Sequence, residues 1–307
     1  MASIQISQLT FAHDGSVENL FEDVSFRLDT DWKLGLAGRN GRGKTTLLQL
    51  LCGVYPYLGR ISSPVAFDYF PFPVADPSRT AREVVMAHAP DAQDWEVSRE
   101  LSLLEVDEVA LDRAFETLSP GERTKLLLAA LFLRPNRFLL IDEPTNHLDE
   151  TARRKVAAYL DGKRGFILVS HDRRFLDGCV DHILSIGKTR IDVQQGNFTT
   201  WWENKERRDR FERDQNERLQ REIGKLSAAA RRTAAWSDRI ERSKYHGDNP
   251  TGKLDRGYLG HQSARMMKRS KAIVRRREQA AEEKAGLLRD IERVDDLAIH
   301  PLEYPKP

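Results

Sequence analysis

The sequence predicts an α/β fold with a parallel-sheet core, followed by a long antiparallel α-helical hairpin. Three observations predict it. Residues 38–46 read GRNGRGKTT, a glycine-rich loop set between an apolar strand and a helix. Residues 138–150 read FLLIDEPTNHLDE, an apolar strand that delivers two carboxylates at its polar end. From Trp201 onward the chain becomes charged and poor in proline, with apolar residues at helical spacing.

Taken in order, residues 3–70 are strand-rich, with strands at Ile4–Phe11, Val24–Leu28, Leu34–Ala37 and Val65–Phe70. In the first, Ile4, Ile6 and Leu9 stand among polar residues, close to the period of a strand with one buried face. A helix from Lys44 to Leu51 interrupts the strands and is closed by Gly53, a residue suited to a helix C-terminus. Residues 80–118 read as two or three short helices, with Pro and Asp at their edges. Residues 120–134 read as a strongly apolar helix stopped near Pro135. Strand Phe138–Ile141, helix Glu150–Leu160 and strand Phe166–Val169 then alternate, which implies a parallel sheet covered by helices. A hairpin at Ile183–Ile186 and Arg190–Val193 completes a first domain of residues 1–200.

Residues 201–293 read as a linker. Between 203 and 243 there is no Pro and one Gly. Leu219, Ile223, Leu226 and Ala230 follow 4-3-4 spacing, with Ile240 beyond, as in a coiled-coil seam. The stretch 244–262 holds five Gly and Pro and cannot continue that helix. Helical pattern restarts over 263–293, with Met267, Val274, Ala281 and Leu288 seven apart. Two helices with a tip loop at 244–262 make a hairpin; about 40 helical residues at ~1.5 Å each extend about 60 Å. Residues 294–307 read as the start of a second, truncated domain.

Charge is distributed unevenly. The 307 residues carry a net charge of only +2. Residues 1–200 hold 23 basic against 28 acidic residues, whereas 231–277 hold 14 basic against 4 acidic. An acidic-leaning body with a basic arm suggests a polyanionic partner for the arm, nucleic acid first among them. No apolar run approaches the roughly 18 residues of a membrane span; LLLAALFL at 126–133 reads as buried helix. The N-terminus shows no basic leader, so a secretory signal is not expected. Cys52 and Cys179 lie in apolar contexts and read as small buried hydrophobes in a reducing cytoplasm.

The pattern Gly38, four residues, Gly43, Lys44, Thr45 wraps backbone N–H groups around a nucleotide's phosphates. Gly38, Asn40, Gly41, Gly43, Lys44, Thr45 and Thr46 are therefore expected to bind ATP. Lys44 would reach the β- and γ-phosphates and the Thr45 hydroxyl would ligate Mg²⁺. Asp142 is expected to hold the same Mg²⁺ through water, and Glu143 to orient or deprotonate an attacking water. His171, in VSHDRRFL, follows a strand as a further catalytic candidate. The plainer readings are a structural ion pair for the two carboxylates and an ordinary core or surface side chain for the histidine.

Four motifs in order, GRNGRGKTT, LSPGERTKLLLAALFL at 118–133, LLIDEPTNHLD at 139–149 and VSHD at 169–172, resemble the ATP-binding-cassette ATPases over residues 1–200. The resemblance implies an antiparallel β subdomain and a small helical subdomain around the parallel core. Lys44, Thr45, Asp142, Glu143 and His171 would match the Walker A lysine and threonine, the Walker B aspartate, the catalytic glutamate and the switch histidine. Ser119, Gly121 and Glu122 would match the signature, which covers nucleotide held by another cassette, and Asp149 the D-loop. His13, with Phe11 nearby, occupies the place of the adenine-stacking aromatic. Two positions depart from the family. Pro120 replaces a signature glycine and removes an N–H donor, and Phe72 in YFPFPV stands where a metal-sensing Gln is usual. One cassette supplies half of each composite site, so a second cassette is implied as a partner, normally in the same chain.

GNFTTWWENKERR at 196–208, followed by the basic hairpin, resembles the linker of ABC-F proteins. That implies a ribosome partner, rRNA and P-site tRNA near the tRNA exit site, and no membrane. DRGYLGHQSARMMKRSKAIVRRRE at 255–278 and the short segment 73–117 resemble the antibiotic-resistance, ribosome-protection branch. Arg231, Arg232, Arg265, Lys268, Arg269, Arg275, Arg276 and Arg277 are then expected to contact RNA backbone, the plainer reading being a solvated helical face. Trp201 and Trp202 are expected to pack the helix on the cassette rather than stack on bases. The alternatives are a housekeeping translation factor of the same family and, in another class, the ATPase subunit of a membrane transporter, against which the charged hairpin weighs.

Overall fold

A computed structural model describes residues 2–16, 18–187, 190–243, 268, 271–276 and 278–280. The chain divides into two compact units, Met1–Asn204 and Lys205–Pro307.

Two sheets carry the first unit. Strand β1 (Ser3–Phe11) pairs antiparallel with β2 (Phe21–Asp29) on one side and β4 (Leu58–Ser62) on the other. The second sheet has six strands in the order β5 (Ala66–Phe70), β6 (Arg137–Asp142), β7 (Phe166–Val169), β3 (Lys33–Ala37), β8 (His182–Ile186) and β9 (Ile191–Gln195). Its first five strands run parallel, and β9 returns antiparallel to β8.

The continuous apolar run of β6 reflects burial on both faces, as in a parallel sheet covered by other layers. Phe138 and Leu140 join Ile4, Ile6, Leu47 and Leu48 in the layer that holds α1 (Lys44–Leu51) and the antiparallel sheet. Leu139 and Ile141, on the opposite face, pack with the buried residues of α4 (Pro120–Phe132) and α5 (Glu150–Asp161). Period-two alternation along one strand thus supplies both cores.

Between β5 and α4 lies a helical layer of α2 (Ala81–His88), α3 (Asp94–Leu103) and the 3₁₀ turns Glu108–Asp112 and Phe115–Thr117. Thr80 and Glu83 cap α2 reciprocally. Glu100 of α3, only 1% exposed, accepts hydrogen bonds from Tyr159 of α5 and from Lys163 just beyond it. This buried cluster binds the helical layer to the sheet-covering helix.

Two elements were not expected from the sequence. β4 reads LGRIS with almost every residue exposed, so it carries no apolar alternation. The helix α6 (Arg173–Asp177) spans only five residues, too few for a helical period to show. The last element, α7 (Phe198–Ser243), starts ahead of Trp201, because Asn197 bonds the Thr200 N–H at 2.9 Å and opens the helix there. Trp201 is 5% exposed in the core and Trp202 packs beside it, which agrees with the packing role expected of both.

In the second unit, Leu219 and Ile223 of α7 are half-buried, while Arg231 and Arg232 are exposed. Lys268, Arg275 and Arg276 are exposed on helical residues. The tip 244–262, Arg265, Arg269, Arg277 and residues 294–307 lie outside the described residues.

Candidate nucleotide site

The loop 38–43 leaves the C-terminal end of β3, the strand between β7 and β8, and runs into α1. Gly41 and Gly43 hold φ values of 79° and 85°, a left-handed conformation that glycine adopts without strain. At Gly43 a Cβ would also meet Leu20 Cδ2 at 2.8 Å. The Lys44 ammonium bends back over the loop, 3.0 Å from Gly38 O and 3.4 Å from Asn40 Oδ1.

β6 ends at Asp142, level with Val169 of β7. The Thr45 hydroxyl donates to Asp142 Oδ2 at 2.8 Å, so the two expected metal ligands meet across 97 residues of sequence. The same carboxylate oxygen accepts the Tyr69 hydroxyl, also at 2.8 Å. Tyr69 was not singled out in the sequence, where an aromatic residue in strand β5 reads as core. Burial, followed by the contact with Asp142, pushes the Tyr69 phenol up, so it remains a donor.

Glu143 follows in a left-handed conformation, φ 50°, with its N–H bonded to Val169 O at 2.9 Å. Its side chain is 19% exposed, and His171 Nε2 lies 3.4 Å from Oε1. Both carboxylate oxygens are buried, and the donors nearest them belong to His171, its ring and its backbone N–H. Burial pushes the Glu143 carboxyl above the ordinary carboxylate range; Asp142 adds to this, while His171 and Lys44 oppose it. A carboxylate whose pKa is raised by burial is suited to taking a proton from water. Glu143, Thr145, Asn146, Arg153, His171 and Arg173 line an open cavity of about 510 Å³. At its Thr145 wall the Thr145 and Ser170 hydroxyls bond at 3.1 Å, linking the segment after β6 to the one after β7.

The remaining candidates sit around this centre. His13 Nε2 is 3.4 Å from the Thr46 hydroxyl, and its ring meets Phe11 and Tyr55 edge-on at 4.9 and 5.8 Å between centroids. Tyr55 is a second aromatic the sequence did not point to. Ser119 caps α4, accepting the Glu122 N–H at 3.2 Å, and the Glu122 carboxylate accepts the Ser119 N–H at 2.8 Å. Pro120 is the first residue of α4, where a helix has no intrahelical use for an N–H. Gly121 stands next to it, where a Cβ would come 3.5 Å from His147 O. Asp149 caps α5 by accepting the Ala152 N–H at 2.7 Å. Phe72 stacks on His88, with centroids 3.7 Å apart, and so packs on the helical layer.

The donor set suits ATP·Mg²⁺. Among the described residues no three His, Cys, Asp or Glu gather into a metal cage. A hydroxyl and a carboxylate, both hard oxygen ligands, are what Mg²⁺ takes from a protein when phosphates and water complete its shell.

Residues 21–146 match the family described as ABC transporter. The energy-dependent translational throttle protein EttA of Haemophilus influenzae is 27% identical over 292 residues, which take in 77% of this chain and 52% of that protein. ABC transporter F family member 2 of Arabidopsis thaliana is 28% identical over 191 residues, 60% of this chain and 28% of that protein. A solved bacterial Atm1-family ABC exporter aligns at a TM-score of 0.56 and 19% identity, covering 66% of this chain and 40% of its own, a likeness of fold alone. The chain spans about half, or less, of the length of the two curated relatives. No helix among the described residues is long and apolar enough to cross a membrane.

Proposed function

We propose that the chain, whose residues 21–146 match the ABC transporter family, is the ATP-hydrolysing portion of an ABC-F protein that acts on the ribosome. The observation that carries the nucleotide reading is the convergence of Thr45, Asp142, Glu143 and His171, from three separate segments, beside Lys44 of the loop after β3. When bound, ATP·Mg²⁺ supplies the phosphoryl group that hydrolysis transfers to water. The chain's own residues do the rest. The backbone N–H groups of Gly38–Gly43 and the Lys44 ammonium neutralise phosphate charge. Thr45 and Asp142 hold the metal. Glu143 accepts the proton of the attacking water, and His171, beside it, fixes the carboxylate's position. His13 and Tyr55 offer aromatic edges to the base. Ser119, Gly121 and Glu122 serve the nucleotide of a second cassette, so turnover is low until that cassette is supplied.

The ribosome is proposed from two supports: a relative named as a translational throttle, and the basic residues of 231–277. Arg231, Arg232, Lys268, Arg275 and Arg276 are exposed, as phosphate contacts require. The finer reading, protection from ribosome-targeting drugs by the tip 244–262, rests on the sequence of 255–278. A loss of drug tolerance on shortening that tip in a two-cassette protein separates it from a housekeeping role in translation.

Co-sedimentation with ribosomes across a salt series tests the proposal. Five phosphate contacts give a log–log slope of about −3.5 to −4.5, and neutralising Arg275 and Arg276 flattens it by about 1.4 to 1.8. Binding that ignores both salt and the substitutions contradicts it.

A further inference from the structure

His171 is followed almost at once by α6, and α6 is tied to the helices on either side. Asp172, its N-cap, accepts the Phe175 N–H at 3.1 Å and lies 3.4 Å from Arg153 Nη1 of α5. The Arg173 guanidinium sits 4.3 Å from the ring centroid of Trp202 and 5.8 Å from that of Phe198, both in the first turns of α7. Those two rings stack on each other at 17°. At the other end of α6, Asp177 accepts the Thr199 N–H at 2.8 Å and also the Thr199 hydroxyl. Both ends of α6 are therefore fastened to the root of α7.

Arg173 also borders the cavity that contains Glu143 and His171. One residue thus borders the cavity of the hydrolytic pair and packs its guanidinium on the helix root. A planar guanidinium over an indole is a directional contact, because the charge is drawn to the ring face and the two planes can stack. A single residue, Asp172, separates Arg173 from His171, so the backbone between them has little slack. Coupling between distant sites is carried by such contiguous packed elements.

We infer that Arg173 is a positioning residue that couples the root of α7 to the His171–Glu143 pair. A displacement of α7's first turns moves Arg173, and the His171 loop moves with it. The inference rests on the role proposed above for that pair and adds its regulation: what engages the polyanion-binding arm is felt at the hydrolytic centre. A purely structural weld predicts something different. It would hold α7 in place and leave His171 indifferent to the chemistry of residue 202.

The test needs no nucleotide, so it stands apart from failure of the ATPase reading, which a direct ATP-binding measurement would reveal. Histidine-labelled full-length chain is observed by NMR, with the His171 ring signal assigned by its loss in His171→Ala. Trp202→Leu is expected to move that signal, and Trp202→Tyr, which keeps an aromatic face, to leave it near its original position. Arg173→Gln shifts it, and Arg173→Lys, which keeps the cation, restores most of the shift. In the Arg173→Gln background, Trp202→Leu has no further effect, the non-additivity expected of two groups acting through one contact. Thermal unfolding checks that each variant is folded; Trp202→Tyr and Arg173→Lys keep the comparison available should Trp202→Leu unfold the chain. A His171 signal unmoved by Trp202→Leu in a folded chain overturns the inference. An equal shift with and without Arg173, or a failure of Arg173→Lys to restore the signal, does so too.

Discussion

Asp142 Oδ2 accepts two hydroxyls, from Thr45 and Tyr69, at 2.8 Å each. Thr45 is a proposed metal ligand; Tyr69 fixes the carboxylate that would share the metal with it. A partner of this kind commonly changes metal affinity by 10- to 100-fold when removed. Tyr69→Phe is therefore expected to raise the Mg²⁺ concentration for half-maximal ATP binding by about 10-fold, while metal-independent nucleotide binding stays the same. A magnesium titration of ATP binding measures both, and an unchanged midpoint contradicts the assignment. Residues of this site differ in how readable they are from sequence. Lys44, Thr45, Asp142 and Glu143 stand in two local motifs whose spacing follows from a strand, a loop and a helix. Tyr69 reaches Asp142 across 73 positions, and nothing local distinguishes its hydroxyl from that of any strand tyrosine. Arg153 and Arg173 escaped for the same reason: helix arginines at the surface acquire meaning only from what folds beside them.

Among elements, the contact between α3 and α5 shows how the helical layer is held. Burial alone would work against charge on Glu100, but hydrogen bonds from Lys163 and Tyr159 outweigh it, and the carboxyl titrates below its ordinary value of 4.5. A carboxyl with a depressed pKa contributes stability that is present above the unfolded value and is lost as pH falls through the folded value. Glu100→Gln is thus expected to lower stability by about 2 kcal/mol near neutral pH, the scale of a hydrogen bond to a charged group. The gap between wild type and variant should narrow below the ordinary carboxylate range. Urea unfolding over a pH series checks it; a gap that widens on acidification contradicts the sign. The same elements show where sequence reading works. The strands buried on both faces, β3, β6 and β7, were legible because their apolar runs are short and bounded by loop signals. Edge strand β4 was not, because its exposed residues leave no hydrophobic pattern and its pairing to β1 is a backbone matter. α6 is held by Asp172 and by neighbours rather than by its own periodicity.

For the molecule as a whole, charge is divided between an acidic-leaning body and a basic 231–277 stretch, which fall in two units. The fold of the first unit places loop 38–43, Asp142 and the His171 segment at the same ends of β3, β6 and β7. Ligands of open parallel sheets bind at that edge. The central claim is that this edge binds ATP·Mg²⁺ with Lys44 as its main charge. Equilibrium titration of ATP·Mg²⁺ into the wild-type chain and into Lys44→Ala tests it most directly. Loss of a buried-phosphate contact to a cation costs about 1.5 to 3 kcal/mol, or about 10- to 150-fold in affinity. The account predicts saturable binding by wild type and a weakening of at least that size in Lys44→Ala. Equal affinity in the two, or no saturable binding by the folded wild-type chain, would contradict it.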